Sequence, residues 1–354
     1  MSLDIRFREF YDVRPGLDNL RLPVKICRVF IRYTTRTLGY NISLLVFDVA
    51  IKILANLRSF GDVTYLIYLL RINRFKIQYR RALYRHEPLA AIKKKIEWAE
   101  YALENSVSAK VRLNARGYLS LLRKHEFYHR DEFRMQSVIN SSLLRKSTDK
   151  KIYIYGPNSN KPPNIAYKDY LLVVLKPVDF DLVEFERKLL FVNGAYYFSK
   201  MADKLDFTSY LIDKYGEVIV SSLSDVSGPL KKAKFPLSDN IAAPQALGRI
   251  IYNLIHRFGR FTCVIEGFDF YISNSSYAAY YPTLTRTKGA IDEKAICHSL
   301  ADHDALYNFL YVKELCNYLN IEDSEEFKSI CDNSGEWYLT RIHETRNFAT
   351  LKNL

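Results

Sequence analysis

The sequence predicts an α/β fold: a Rossmann-like, doubly wound and mostly parallel sheet, preceded by a basic all-α region. Three observations lead there. Apolar residues recur at helical spacing up to about residue 125, whereas after residue 150 short β-branched and aromatic runs alternate with helical stretches. Several of those runs end in Gly, Asn or other small polar residues, as strands do around the ligand crevice of a doubly wound sheet. Charge divides at the same place, with 28 Lys and Arg against 13 Asp and Glu in residues 1–148, and 24 against 26 in the rest. We therefore read two regions, 1–148 and 149–354. An apolar share of 48% is enough for a large core and excludes a disordered chain.

The helical region comes first. Residues 40–57 are strongly apolar, but Asp48 and Lys52 interrupt them at i,i+4 spacing and the run is short for a membrane span. A buried or interfacial helix is expected there. Over 63–85, Leu66, Ile67, Leu69, Leu70, Ile72, Phe75 and Ile77 mix with Arg71, Arg74, Lys76, Arg80, Arg81 and Arg85, the pattern of a helix lying on an anionic leaflet or packing within its own domain. Glu87-Pro88 stops that helix, because the residue before proline disfavours the helical region. Residues 89–105 and 108–125 predict a helical hairpin, and 141–151, polar and basic without periodicity, a linker. The amino terminus lacks the layout of a secretory signal. The five cysteines are odd in number and show neither CxxC nor Cys/His spacing, which argues for a reducing compartment and against a zinc site.

In the second region, residues 151–155 (KIYIY) predict a first strand running into the turn Gly156-Pro157-Asn158-Ser159. Residues 170–175 (YLLVVL) and 188–192 (KLLFV) predict two more strands, the latter meeting Asn193-Gly194. Residues 244–258 predict a helix with Ala246, Ile250, Ile251, Leu254 and Ile255 on one side, and 261–266 (FTCVIE) the strand that delivers Gly267. Beyond it come Gly267-Phe268-Asp269-Phe270-Tyr271, Ser275-Ser276-Tyr277 and His298-Ser299. Three proton-handling side chains thus follow one buried strand.

Those last segments, with Asn274, Ala305-Leu306 and Phe309-Leu310, closely resemble in type and spacing the bacterial lipooligosaccharide sialyltransferases of glycosyltransferase family 42. The likeness extends upstream to Gly248, Asn193 with its aromatic neighbours, and Gly156-Pro157, and so covers about residues 150–320. It implies a sialyltransferase variant of the nucleotide-sugar transferase fold. It also implies inverting transfer of a nonulosonic acid from a CMP-sugar to a glycan hydroxyl, without a cofactor or divalent metal. The product would be a bacterial surface polysaccharide or lipooligosaccharide. Under the resemblance, Tyr271 and Tyr277 donate to the departing phosphate and His298 removes the acceptor proton. Gly156, Pro157, Asn158, Ser159 and Asn193 hold the nucleotide, while Ser275 and Ser276 contact the donor or shape its loop. Gly248, Gly267 and Asp269 belong to the same substrate-binding set, with Asp269 read as a turn residue that fixes loop geometry. Glu266 has a crevice-facing reading as well.

This sequence departs from the family pattern at Pro244 and Ala246-Leu247, where an arginine and hydroxyl residues are expected, and at Ala295, where a tyrosine is. The donor acid is therefore open between sialic acid and a related acid such as Kdo. The other class is a non-catalytic protein on the same scaffold, gripping nucleic acid or another anionic partner through the basic region. No recognisable nucleic-acid reader supports it. The first class places the chain in the cytoplasm, peripheral on the inner face of a bacterial inner membrane, with the basic helices on an anionic membrane surface near a lipid-linked acceptor. The sequence leaves a homo-oligomer open.

Overall fold

The computed structural model describes residues 40–55, 61–84, 87–106, 109–129, 147–156, 161–175, 178, 180–193, 207–221, 230–232, 247–270, 272, 285–287, 290–291 and 305–345. They belong to two compact units. The first contains α1 (Tyr40–Ala55), α2 (Gly61–Tyr84), α3 (Pro88–Asn105) and α4 (Ala109–Lys124). Each packs against the next. Pro88 occupies the first turn of α3, where its missing N–H costs nothing, and Glu87 before it is non-helical at φ −109° and ψ 72°.

The basic, apolar mixture of α2 turns its apolar side inward: Leu66, Ile67, Leu69, Leu70 and Ile77 are all buried. Several cations of this unit also have internal partners. Arg74 Nε donates to Asp48 Oδ1 at 2.6 Å, joining α2 to α1. Asp48 is thus paired across helices. Lys95 is buried, its ammonium 4.7 Å from the ring centre of Tyr79 and 5.4 Å from that of Trp98. Such contacts stabilise a desolvated cation by about 2 kcal/mol. No helix among the described residues is long and apolar enough to cross a membrane.

The second unit is an α/β fold around a seven-stranded sheet. Its strands are β1 (Ser147–Tyr155), β2 (Leu171–Val174), β3 (Lys188–Asn193), β4 (Glu217–Ser221), β5 (Lys231–Lys232), β6 (Arg260–Glu266) and β9 (Asn320–Ile321). They lie in the order β5-β4-β3-β2-β1-β6-β9, and every neighbouring pair is parallel. A separate antiparallel pair is formed by β7 (Thr285–Thr287) and β8 (Ala290–Ile291). Helices α5 (Phe207–Tyr215), α6 (Leu247–Phe258), α7 (Ala305–Cys316), α8 (Glu325–Cys331) and α9 (Gly335–Thr345) complete the unit.

The central strands are apolar almost throughout because both faces are covered, the condition that distinguishes parallel sheets from one-sided antiparallel ones. Tyr153, Tyr155, Leu172, Val174, Leu190, Val192, Val218, Val220 and Val264 pack on one face with Leu211 and Tyr215 of α5. The alternate residues, among them Ile152, Ile154, Val173, Leu189, Phe191, Cys263 and Ile265, are buried on the other. Helix α6 packs on β1 and β6, with Ile250, Ile251, Leu254 and Ile255 buried as its spacing predicts, and α7 packs on α6.

The expected linker 141–151 overlaps β1, which begins at Ser147. Ser147 pairs with Arg260 of β6, and Thr148 Oγ1 donates to the Arg260 carbonyl at 3.3 Å. The neighbouring strand decides here against the local polarity of the chain.

Candidate active site

Strand order reverses at β1. From β1 to β5 the chain adds strands on one side, and β6 then returns to the opposite side of β1. In parallel sheets such a reversal opens a crevice at the carboxyl ends of the two central strands. Gly156 follows β1 and Gly267 follows β6, so the predicted nucleotide turn and the predicted catalytic motif start side by side there.

The two glycines meet backbone to backbone. Gly156 N–H donates to the Glu266 carbonyl at 2.8 Å, and a Cβ built on Gly156 would overlap the Gly267 carbonyl oxygen and the Phe268 ring. No side chain fits at residue 156. Gly267 has φ +73°, the left-handed region that side chains disfavour. The chain then makes a turn closed by Ile272 N–H on the Asp269 carbonyl at 3.0 Å. Asp269 is buried.

Phe270 inside that turn also has positive φ, at +49°, which costs a bulky residue of order 1–3 kcal/mol. Packing holds it there. Its ring is buried between Phe309 of α7, Phe327 of α8 and Tyr338 of α9, with centroids 5.3, 5.9 and 6.4 Å away. The Tyr338 hydroxyl donates to the Phe270 carbonyl at 2.7 Å. Three helices thus fix the start of the motif.

A pair that the sequence does not announce stands beside the glycines. Tyr153 of β1 donates its hydroxyl to Glu266 Oε2, and Asn164 N–H donates to the same hydroxyl at 3.1 Å. Burial, and then the bond to Glu266, raise the Tyr153 pKa above the ordinary tyrosine range, so the phenol stays a donor. Glu266 therefore points to the face shared with Tyr153 and Val264. Tyr167, with its ring centre 5.1 Å from that of Tyr153, donates to Asp323 Oδ2 at 3.2 Å. Two carboxylates, from the ends of β6 and β9, are oriented by two phenols in tilted ring contact at the carboxyl edge. The one signal in the sequence is an acidic residue closing an otherwise apolar strand; its tyrosine partner lies 113 residues away.

Tyr155 has its ring in the core, and its hydroxyl donates to the Lys161 carbonyl. Asn193 ends β3, in register with Ser221 of β4 and two strands from β1. Two inter-strand spacings put it about 10 Å to one side of the Gly156 turn. Gly248 lies in the first turn of α6, and its N–H is taken by Asn308 Oδ1 of α7 at 3.2 Å. Gly248 therefore joins the two helices that run back from the crevice edge. Pro157, Asn158, Ser159, Tyr271, Ser275, Ser276, Tyr277 and His298 lie outside the described residues. Of the predicted site residues, Gly156, Gly267 and Asp269 are thus brought together, Asn193 ends a strand on the same edge, and Gly248 supports it.

Compared with protein-family models, curated proteins and solved structures, the chain gives no match.

Proposed function

We propose that the chain is an inverting, metal-independent glycosyltransferase that moves sialic acid, or a related acid such as Kdo, from its CMP donor to a glycan hydroxyl. On this reading the sheet is Rossmann-like and doubly wound, and the enzyme is peripheral on the inner face of a bacterial inner membrane. One observation carries it: Gly156 and Gly267 meet in backbone contact at the reversal of strand order, where a nucleotide crevice belongs.

The chemistry is a single displacement. His298 takes the proton of the acceptor hydroxyl as its oxygen bonds to the anomeric carbon. The bond from that carbon to the phosphate oxygen breaks, and its electron pair leaves on CMP. Tyr271 and Tyr277 donate to the oxygen that gains charge, which stabilises the transition state more than the ground state. Histidine suits the base role because it titrates near neutral pH.

Thermal shift with CMP, UMP, AMP and GMP tests the nucleotide, since binding raises apparent stability by mass action. CMP release from CMP-sialic acid and from CMP-Kdo, in chelator and with a glycan acceptor, tests the reaction. His298→Ala lowers transfer by about 10²–10⁴-fold while leaving CMP binding measurable. Absence of a CMP preference, or full transfer by the alanine variant, would overturn the proposal.

A further inference from the structure

We infer that α1 is the element through which the helical unit inserts into an anionic lipid surface. The inference rests on the membrane-proximal part of the reading above and is independent of the transfer chemistry. The sequence leaves an interfacial role open for both α1 and α2; the apolar residues Leu66, Ile67, Leu69, Leu70 and Ile77 of α2 are buried, and four exposed apolar side chains lie on α1. Ile42, Leu45, Val49 and Ile53 are 53, 64, 48 and 59% exposed. At 3.6 residues per turn their spacing gathers them within an arc of about 80°, along about 17 Å of helix. Ser43, Leu44 and Phe47 are buried and centre on the opposite side of the helix. The helix thus has one face in its own unit and an apolar stripe facing out.

Charge selects the occupant. Asp48 is the acidic residue of α1, and Arg74 of α2 pairs with it at 2.6 Å. Lys52, exposed beside the stripe, adds a cation at its edge. Residues 1–148 hold 28 basic against 13 acidic side chains, so two copies brought face to face repel, whereas an anionic bilayer attracts the region and accepts the stripe. An apolar stripe with a cation at its edge, in a strongly basic region and on a helix too short to span, fits an interfacial helix.

Vesicle flotation of the full chain tests this, using phosphatidylglycerol mixed with phosphatidylcholine and phosphatidylcholine alone. The wild type floats with the anionic vesicles. The double variant Leu45→Ser, Val49→Ser weakens that partitioning about tenfold, because each truncation removes apolar area from the lipid contact. Leu89→Ser, at an apolar residue of α3 that is 59% exposed, leaves it unchanged. In Leu45→Trp, emission from residue 45 shifts to the blue on anionic vesicles and is quenched by brominated acyl chains. Wild-type failure to float, unchanged flotation of the double variant, or a lipid-free dimer that the double variant dissolves would each overturn the inference. CMP binding is measured separately without vesicles: its loss with flotation intact refutes the transferase and leaves the insertion standing, and the reverse result separates them equally.

Discussion

Substituting Gly156 by alanine probes the crevice directly. The added Cβ overlaps a backbone carbonyl and a packed aromatic ring, so β1 and the turn after β6 must separate. Overpacking of this kind costs about 1–3 kcal/mol, and weakening the hydrogen bond from Gly156 N–H to Glu266 adds about 1 kcal/mol. The expected loss is about 2–4 kcal/mol. Gly216 gives an internal comparison, because its φ of +70° opposes a side chain while nothing lies within 4 Å of the Cβ site. Gly216→Ala therefore costs about 1 kcal/mol, through backbone conformation alone. The two tryptophans separate the units: Trp98 lies in α3 and Trp337 in α9. In a Trp98→Phe background, denaturant unfolding followed by fluorescence reports the α/β unit. Should Gly156→Ala prove no more destabilising than Gly216→Ala, the close approach of β1 and β6 is wrong and the crevice argument falls with it.

Other perturbations test the supports of the site. Tyr338→Phe leaves the buried Phe270 carbonyl without that donor and lowers stability by about 1–3 kcal/mol in the same fluorescence assay; an unchanged midpoint would show that the ring stack alone holds the turn. Glu217 ties β4 to β5 and α6 through Lys231 at 2.9 Å and Arg257 at 2.6 Å. Burial opposes its ionised form, but the hydrogen bonds from Lys231 and Arg257 prevail and hold its pKa below the ordinary value of 4.5. Because the folded pKa is the lower one, the stabilisation is present above the unfolded pKa and fades as pH falls through the folded value. Glu217→Gln therefore destabilises at pH 7, by at most about 1 kcal/mol for so exposed a pair, and the difference from wild type closes as pH falls through the lowered folded pKa. A difference that does not shrink with falling pH would assign the effect to packing.

The architecture was legible where one local rule decided it. Buried strands such as β2 and β3 are short apolar runs, α6 shows its helical stripe, and Pro88 marks the start of α3. The site was legible only as spacing along one segment. That Gly156 meets Gly267 follows from pairing between residues more than a hundred positions apart, which no local pattern encodes. The same holds for Tyr153 with Glu266, 113 positions apart, and Tyr338 with Phe270, 68 apart, is equally beyond the reach of a local pattern. The sequence left two readings of α2 open for a related reason. Its alternation of apolar and basic side chains is compatible with lipid or with protein, and only the neighbouring helices decide between them.

The strain at Phe270 bears on how the site is built. A bulky residue in the left-handed region persists only where its surroundings over-determine it. Here three helices from the last forty described residues do so, although the residue itself lies just past β6. The segment 305–345 therefore has a task beyond filling the core: it locks the direction in which the chain leaves the sheet toward Tyr271. A glycine at residue 270 would relieve the φ penalty, and by that term alone would stabilise the protein. It would also remove the ring that Phe309, Phe327 and Tyr338 enclose, and emptying such an aromatic site costs about 3–5 kcal/mol. The second effect exceeds the first, so Phe270→Gly is destabilising overall and frees the motif to adopt other directions. Strain is tolerated at this position because the ring that incurs it is also the anchor.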